Sequence, residues 1–225
     1  MLALKQGLSL TNSNNPSGSA WNPTSEASVE AWYQKSVGIT LNGSNVSQWS
    51  DSSGNGLDMV QATAGSQPSY SAGVLTFDGI DDHLTIAGQI SIVGDFTIGV
   101  VINPTSYTGA ILADKTTGGE FIKFFDNTSI RFKIDSGANT DLSLDSGTFA
   151  QSYMVYTRNS GTMSLWYNGV LQADTETLSG TADIDSIGIR YPSNSPLDGT
   201  IEEVQIFSSY SSDLASNVNS YLAAL

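Results

Sequence analysis

Apolar and polar positions alternate with a period of two along most of this chain, the signature of half-buried β-strands. Val29-Glu30-Ala31-Trp32-Tyr33 alternates and predicts a first strand. Leu75 and Phe77 alternate with Val74 and Thr76, and Leu84 and Ile86 with His83 and Thr85. These two runs flank Asp78-Gly79, so residues 73–86 read as a hairpin. Residues 95–103 form a long apolar run closed by Pro104, which supplies no ladder donor. A short buried strand is expected over 109–114, then a hairpin of 121–125 and 130–134 around Asp126-Asn127-Thr128-Ser129. In its second arm Ile130, Phe132 and Ile134 share one face, Arg131 and Lys133 the other.

A further hairpin joins 151–158 to 163–167 through Asn159-Ser160-Gly161, and Asn168-Gly169 makes another tight corner. The last strands are expected over 185–190 and 200–207. The period then changes. Ser211-Ser212-Asp213 offers a helix cap, and Leu214, Val218, Tyr221, Leu222 and Leu225 follow at helical spacing. The pattern predicts an all-β, two-sheet jelly-roll sandwich with a short C-terminal helix. Its expected core includes Trp32, Trp49, Phe77, Phe96, Leu165, Tyr167 and Phe207.

Residues 1–25 lack either period and read as an N-terminal arm, leaving 26–225 as the sandwich domain. The arm carries Leu2, Leu4, Leu8, Leu10 and Trp21 among Ser, Asn, Gly and Pro. Ordering each residue costs about 1–2 kcal/mol of backbone entropy. Burying one large apolar side chain returns about 1.5–3 kcal/mol. The arm is therefore expected to order against a partner surface, a neighbouring copy or another protein, with packing on its own domain as the equal alternative.

Composition narrows the function classes. Twenty-two acids against eight bases give a net charge of −14, which leaves no basic footprint for nucleic acid or an anionic membrane. No cysteine exists, so disulfide and thiolate chemistry are excluded. No apolar run reaches the ~18–20 residues of a membrane span, and residues 1–10 lack the continuous apolar stretch of a secretory signal. If Met1 is the native start, export by that route is not expected.

Two phrases, "VSQWSDSSGNG" at 46–56 and "VLTFDGIDDHL" at 74–84, carry a resemblance. With "FTIGVVI", "RNSGTMSLWYNGV" and "LDGTIEEVQIF" following in order, the chain from about 29 to 225 resembles the laminin-G-like branch of the concanavalin A-like lectin/glucanase superfamily. His83 departs from that pattern, standing where an aromatic is common. The resemblance implies a concanavalin A-like sandwich and is silent on activity, because the fold hosts binding modules, hydrolases and structural proteins alike. The opening "LKQGLSLTNS" also resembles the start of some phage structural proteins. Together these lead to an expected virion structural protein of a tailed phage, a capsid decoration or tail component located in the virion. It would attach to other virion proteins or to further copies of itself through the arm, and display a domain able to bind surface glycans. The alternative is a free-standing carbohydrate-binding module of a bacterial extracellular protein.

Catalysis is not expected. Hydrolases of this fold place paired acids on one strand face in a Glu-x-Asp-x-x-Glu phrase, and none occurs. Glu202 and Glu203 are adjacent and so should point to opposite faces, while Asp183 and Asp185 share a face without a Glu partner. All are expected to be solvated or turn carboxylates. His83 is the sole histidine and no Gly-x-Ser-x-Gly elbow exists, so a serine triad fails. No organic cofactor is implied; Ca²⁺ is the one ion the residues admit. Asp51-x-Ser53-x-Asn55-Gly56 opens like an EF-hand loop but has Ala62 at the twelfth position, and Asp78, Asp81 and Asp82 form a second acidic knot. Both have an ordinary reading as turns bonded to their own backbone. For a glycan the candidate contacts are Trp166, on the strand face opposite Leu165 and Tyr167, with Tyr107 and Tyr191 in loops.

Overall fold

The structure, a computed structural model, describes residues 20–116, 120–135, 137–190 and 194–225. Among these, the strands in chain order are β1 (Val29–Tyr33), β2 (Ile39–Asn42), β3 (Asn45–Trp49), β4 (Met59–Val60), β5 (Ser69–Ser71) and β6 (Val74–Asp78). There follow β7 (Leu84–Val93), β8 (Phe96–Pro104), β9 (Ala110–Ala113), β10 (Phe121–Phe124), β11 (Ser129–Lys133) and β12 (Thr140–Ser143). The last are β13 (Ser152–Asn159), β14 (Thr162–Tyr167), β15 (Val170–Thr177), β16 (Thr181–Ile187) and β17 (Asp198–Phe207), before helix α1 (Ser212–Leu222).

All pairings are antiparallel and fall into two layers. One layer runs β17–β8–β13–β14–β15, with β1 and β6 sharing the free edge of β17. The other runs β4–β7–β16–β9–β10–β11–β12. The β2–β3 hairpin joins β4, and β5 links β3 to β6, so the layers are continuous at one edge. Period-2 alternation points Phe77, Ile86, Ile98, Phe132, Leu165 and Val204 into one core between the layers.

Helix α1 adds a third layer. The Ser211 hydroxyl caps it by accepting from the Leu214 amide at 3.0 Å. Its buried Leu214, Val218 and Leu222 lie over Val155 and Phe207 on the outer face of the first sheet. Gly99 lets the helix approach closely: a Cβ there would stand 2.7 Å from Val218 Cγ1 and 2.9 Å from Leu222 Cδ1.

Several expectations are corrected. Residues 73–86 are not a hairpin: β6 pairs with β17 and β5, β7 with β16 and β4, and the segment between them crosses from one sheet to the other. Asp78 turns the chain by accepting from the Ile80 amide at 2.8 Å, and Gly79 takes φ +75° with no room for a Cβ beside Asp198. Both flanking strands still bury their alternate residues in the shared core. The strand expected at 185–190 lies at Thr181–Ile187, because Gly188, at φ +93°, turns the chain out of the sheet. Trp32 and Phe207 are buried, but beneath α1 rather than between the sheets. Tyr167 is half-buried, packed against the core's edge and Phe149.

Glu202 and Glu203 are also not solvated. A bulge between Ile201 and Glu203 inserts Glu202 without a partner on β8 and breaks strict alternation. Both acids consequently meet Lys35: Glu202 Oε2 lies 2.6 Å from its Nζ, and Glu203 Oε2 accepts from its amide at 2.5 Å. Of the arm, 1–19 lie outside the described residues, Leu2, Leu4, Leu8 and Leu10 with them. Trp21 docks on its own domain, 6.4 Å from the Phe207 ring and 6.0 Å from Tyr221, its Nε1 donating to Glu26 at 2.8 Å. This differs from an anchor reserved for a partner.

Candidate functional site

The β13–β14 register places Val155 opposite Trp166, so these two and Tyr153 face outward, away from the inter-sheet core. Beyond Trp166 the chain turns sharply at Asn168 (φ 49°) and Gly169 (φ 78°). Asn168 locks the corner: its amide donates to Tyr153 O at 3.0 Å, and its Oδ1 accepts from the Tyr153 amide at 3.1 Å. A Cβ on Gly169 would lie 2.8 Å from the Tyr153 hydroxyl, so glycine keeps that ring at the rim.

Across from these aromatics runs α1. Ser216, Asn219, Ser220 and Ala223 share a flank of the helix at the three- and four-residue spacing that puts side chains on one side. The space between them and Trp166, Tyr153 and Gly169 measures about 300 Å³, at the lower end of small-ligand sites, which span roughly 300–1,000 Å³. Asn219 is buried; its Nδ2 donates back to Ala215 O at 2.8 Å, and its Oδ1 has no hydrogen-bond partner. An amide oxygen buried without a donor costs free energy. Two aromatic rings, Asn219 and two serines line a groove that holds no charged side chain.

The other expected contacts lie elsewhere. Tyr107 packs edge-on against Phe124 at 6.1 Å and donates its hydroxyl to Phe149 O at 3.0 Å, a packing role on the opposite side of the first sheet from Trp166. Tyr191 lies outside the described residues. Tyr153, Ser216, Asn219 and Ser220 were missed. Tyr153 shares strand parity with Val155, and the polar flank of α1 is visible in sequence, but only the helix's docking brings the two together.

The acids do not assemble into a catalytic pair. Glu203 is fully buried and accepts from Trp32 Nε1 at 2.5 Å, the Lys35 amide and Gln205 Nε2 at 3.2 Å. Burial pushes its carboxyl above the usual range, against the pull of those donors. Asp183 and Asp185 are separated by a bulge in β16. Asp185 is buried and takes the Lys115 amide at 2.6 Å and the Thr116 hydroxyl. Glu120 accepts from the amides of Asp135 at 3.0 Å and Asp183 at 2.7 Å, and its burial also raises its carboxyl. His83 contacts Asp81 O through Nδ1 at 2.7 Å and Gln61 Nε2 through Nε2 at 2.9 Å, and burial lowers its basicity.

The EF-hand-like loop is saturated by its own protein. Asp51 Oδ1 takes the amides of Trp32 and Ser53, and Oδ2 takes the Ser53 hydroxyl and the Leu57 amide, at 2.7–3.2 Å. Asp78, Asp81 and Asp82 differ: one carboxylate oxygen from each falls within 4.8 Å of the others, so these are the residues that could hold a divalent cation. Burial, then Asp78, pushes the Asp82 carboxyl up to about 6.

A jelly-roll sandwich with an uncharged aromatic groove defines a domain of lectin-type architecture. A family profile described as the concanavalin A-like lectin/glucanases superfamily (Laminin_G_3) matches residues 78–213, and the chain belongs to that family. No curated protein matches the sequence. Among solved structures, sialidase from Trypanosoma rangeli aligns with a TM-score of 0.59 at 15% identity over 88% of this chain, which spans about one third (33%) of the sialidase. Domain 4 of AbnA, an extracellular arabinanase from Geobacillus stearothermophilus solved with arabinotriose, aligns at 0.55 and 14% identity, covering 85% of this chain and 98% of that domain. A botulinum neurotoxin type C structure, whose cell entry depends on two ganglioside molecules, aligns at 0.53 and 16% identity, over 86% of this chain and 51% of that one. At such identities the likeness is one of fold.

Proposed function

We propose that this domain is a non-catalytic glycan-binding module that takes a neutral saccharide in the groove between α1 and β13–β14. The observation that carries the reading is that Trp166 and Tyr153 line one uncharged groove together with Ser216, Asn219 and Ser220. A sugar ring offers the matching set. Its C–H face stacks on an aromatic ring, whose π-face is negative, and its hydroxyls exchange hydrogen bonds with serine hydroxyls. The arabinotriose and ganglioside structures lend weight as cases in which this fold meets sugars. The paired acids favour binding over hydrolysis, since Glu202, Glu203 and Asp185 are engaged by Lys35, Trp32, Lys115 and Thr116, away from the groove.

The test is a screen of neutral glycans followed by an NMR titration with the best binder. The resonances of the Trp166 indole N–H and the Asn219 side-chain amide should shift together. A glycan that binds while shifting signals elsewhere would overturn this site.

A second reading, a virion structural protein displaying this module, rests on the resemblance of residues 1–10 and on where the chain enters the domain. Trp21 and Ala20, where the described residues begin, lie beside Tyr221 and Leu225 at an apolar hollow of about 420 Å³ next to the end of α1. Co-purification of the full chain with particles, lost on deleting residues 1–19, is the expected result in that setting.

A further inference from the structure

Four of the eight bases in this acidic chain, Lys123, Arg131, Lys133 and Arg190, gather about β10 and β11 of the second sheet. Ile122, Phe124, Ile130 and Phe132 point into the core, so the alternate residues Phe121, Lys123, Arg131 and Lys133 face outward. Arg190, shortly after β16, stacks on the Phe121 ring at 4.8 Å, and Lys123 Nζ lies 5.9 Å from the same ring. Arg131 sits 3.5 Å over Phe125 and is neutralised by Asp141 through two bonds of 2.6 and 2.7 Å.

Of the other three cations, none has an ion-pair partner among the described residues. Among these residues Lys123 Nζ reaches neutral oxygens, Ser195 Oγ at 3.4 Å and Thr108 O at 3.5 Å. Arg190 Nε is buried and has no hydrogen-bond partner. Burial, then the charges of Arg190 and Arg131, disfavours the ammonium of Lys123. Burying an uncompensated cation is costly, and a second cation beside it adds to that cost. An anion would relieve both.

We propose that this outward face of β10–β11 is a second carbohydrate site, selective for acidic sugars, in which Lys123 and Arg190 grip a carboxylate or sulfate ester above the Phe121 ring. A guanidinium offers such a group a planar pair of donors, and Ser195 and the Thr108 carbonyl stand ready for neighbouring hydroxyls. The site is separate from the uncharged groove and stands without it. A single-stranded oligonucleotide, anionic but without a sugar acid or sulfate ester, is the control for attraction by charge alone.

The test compares retention of the full chain by polygalacturonate, dextran sulfate and neutral dextran. Binding to polygalacturonate alone assigns a carboxylate and binding to dextran sulfate alone a sulfate ester; either supports the proposal. K123Q/R190Q should lose about tenfold or more in affinity, whereas K115Q keeps wild-type binding. Should the double variant fail to fold, K123Q alone, at a half-buried side chain, is expected to lose threefold or more. Retention no better than on neutral dextran, a variant within twofold of wild type, or equal capture of a single-stranded oligonucleotide would overturn it.

Discussion

Replacing Glu203 gives the sharpest stability test. Its carboxylate sits beneath α1 and accepts from three donors, Trp32 Nε1, the Lys35 amide and Gln205 Nε2. Glu203→Ala removes the acceptor and leaves those donors buried. Each orphaned group costs about 1–3 kcal/mol, so the three together should cost at least about 3 kcal/mol. In a domain of this size about 1 kcal/mol shifts the midpoint by roughly 2–4 °C, which places the loss at about 6 °C or more. Glu203→Gln keeps one acceptor and sets an amide against at least one donor, at about 1–2 kcal/mol. The pH dependence separates charge from shape. Because the folded carboxyl binds its proton more tightly than the usual 4.5, stability from this group is fully present below that value and falls as pH rises through the folded value. Glu203→Gln should flatten that part of the profile. Thermal melts from pH 4 to 8 measure both effects. An alanine variant within about 2 °C of wild type at pH 7, or an unchanged slope in Glu203→Gln, would refute the reasoning.

Further expectations follow from other contacts. Asp82→Asn should melt above wild type at pH 7 and level with it at pH 3.5. Its carboxyl rises from 3.8 to about 6; that shift corresponds to about 3 kcal/mol, of which partial solvent screening leaves roughly 1–2 kcal/mol. Gly99→Ala should push α1 off β8 at a cost of about 1–3 kcal/mol, seen as a lower urea midpoint and altered near-ultraviolet dichroism from Trp166. Trp21→Ala should cost about 1–3 kcal/mol, because Trp21 packs on Phe207 and Tyr221; a neutral result would leave the tryptophan to a partner.

Much of the fold was legible because alternation and helical spacing each report burial directly. Ile130, Phe132 and Ile134 face inward and Arg131 and Lys133 outward, as their parity implies. Ser211 caps the helix its position announces. The errors came where local pattern carries no information about partners. Asp78-Gly79 reads as a hairpin turn, but pairing is decided by β17 and β16 far along the chain. The β17 bulge is invisible in "IEEVQIF", so two acids expected on opposite faces converge on Lys35. Trp166 could be singled out by its parity. Tyr153 and Asn219 could not, since their meeting depends on α1 docking across β13, which Gly99 permits at a distance of more than a hundred residues.

The groove reading meets its most direct test in the affinity of a neutral oligosaccharide for wild type, Trp166→Ala and Tyr107→Phe, by calorimetric titration. Losing about 50–80 Å² of apolar contact at about 25 cal/mol per Å² costs roughly 1–2 kcal/mol, about tenfold in affinity. Trp166→Ala should therefore bind about tenfold more weakly or not at all while remaining folded, and Tyr107→Phe should match wild type. Undiminished binding by a folded Trp166→Ala would contradict the assignment of this groove.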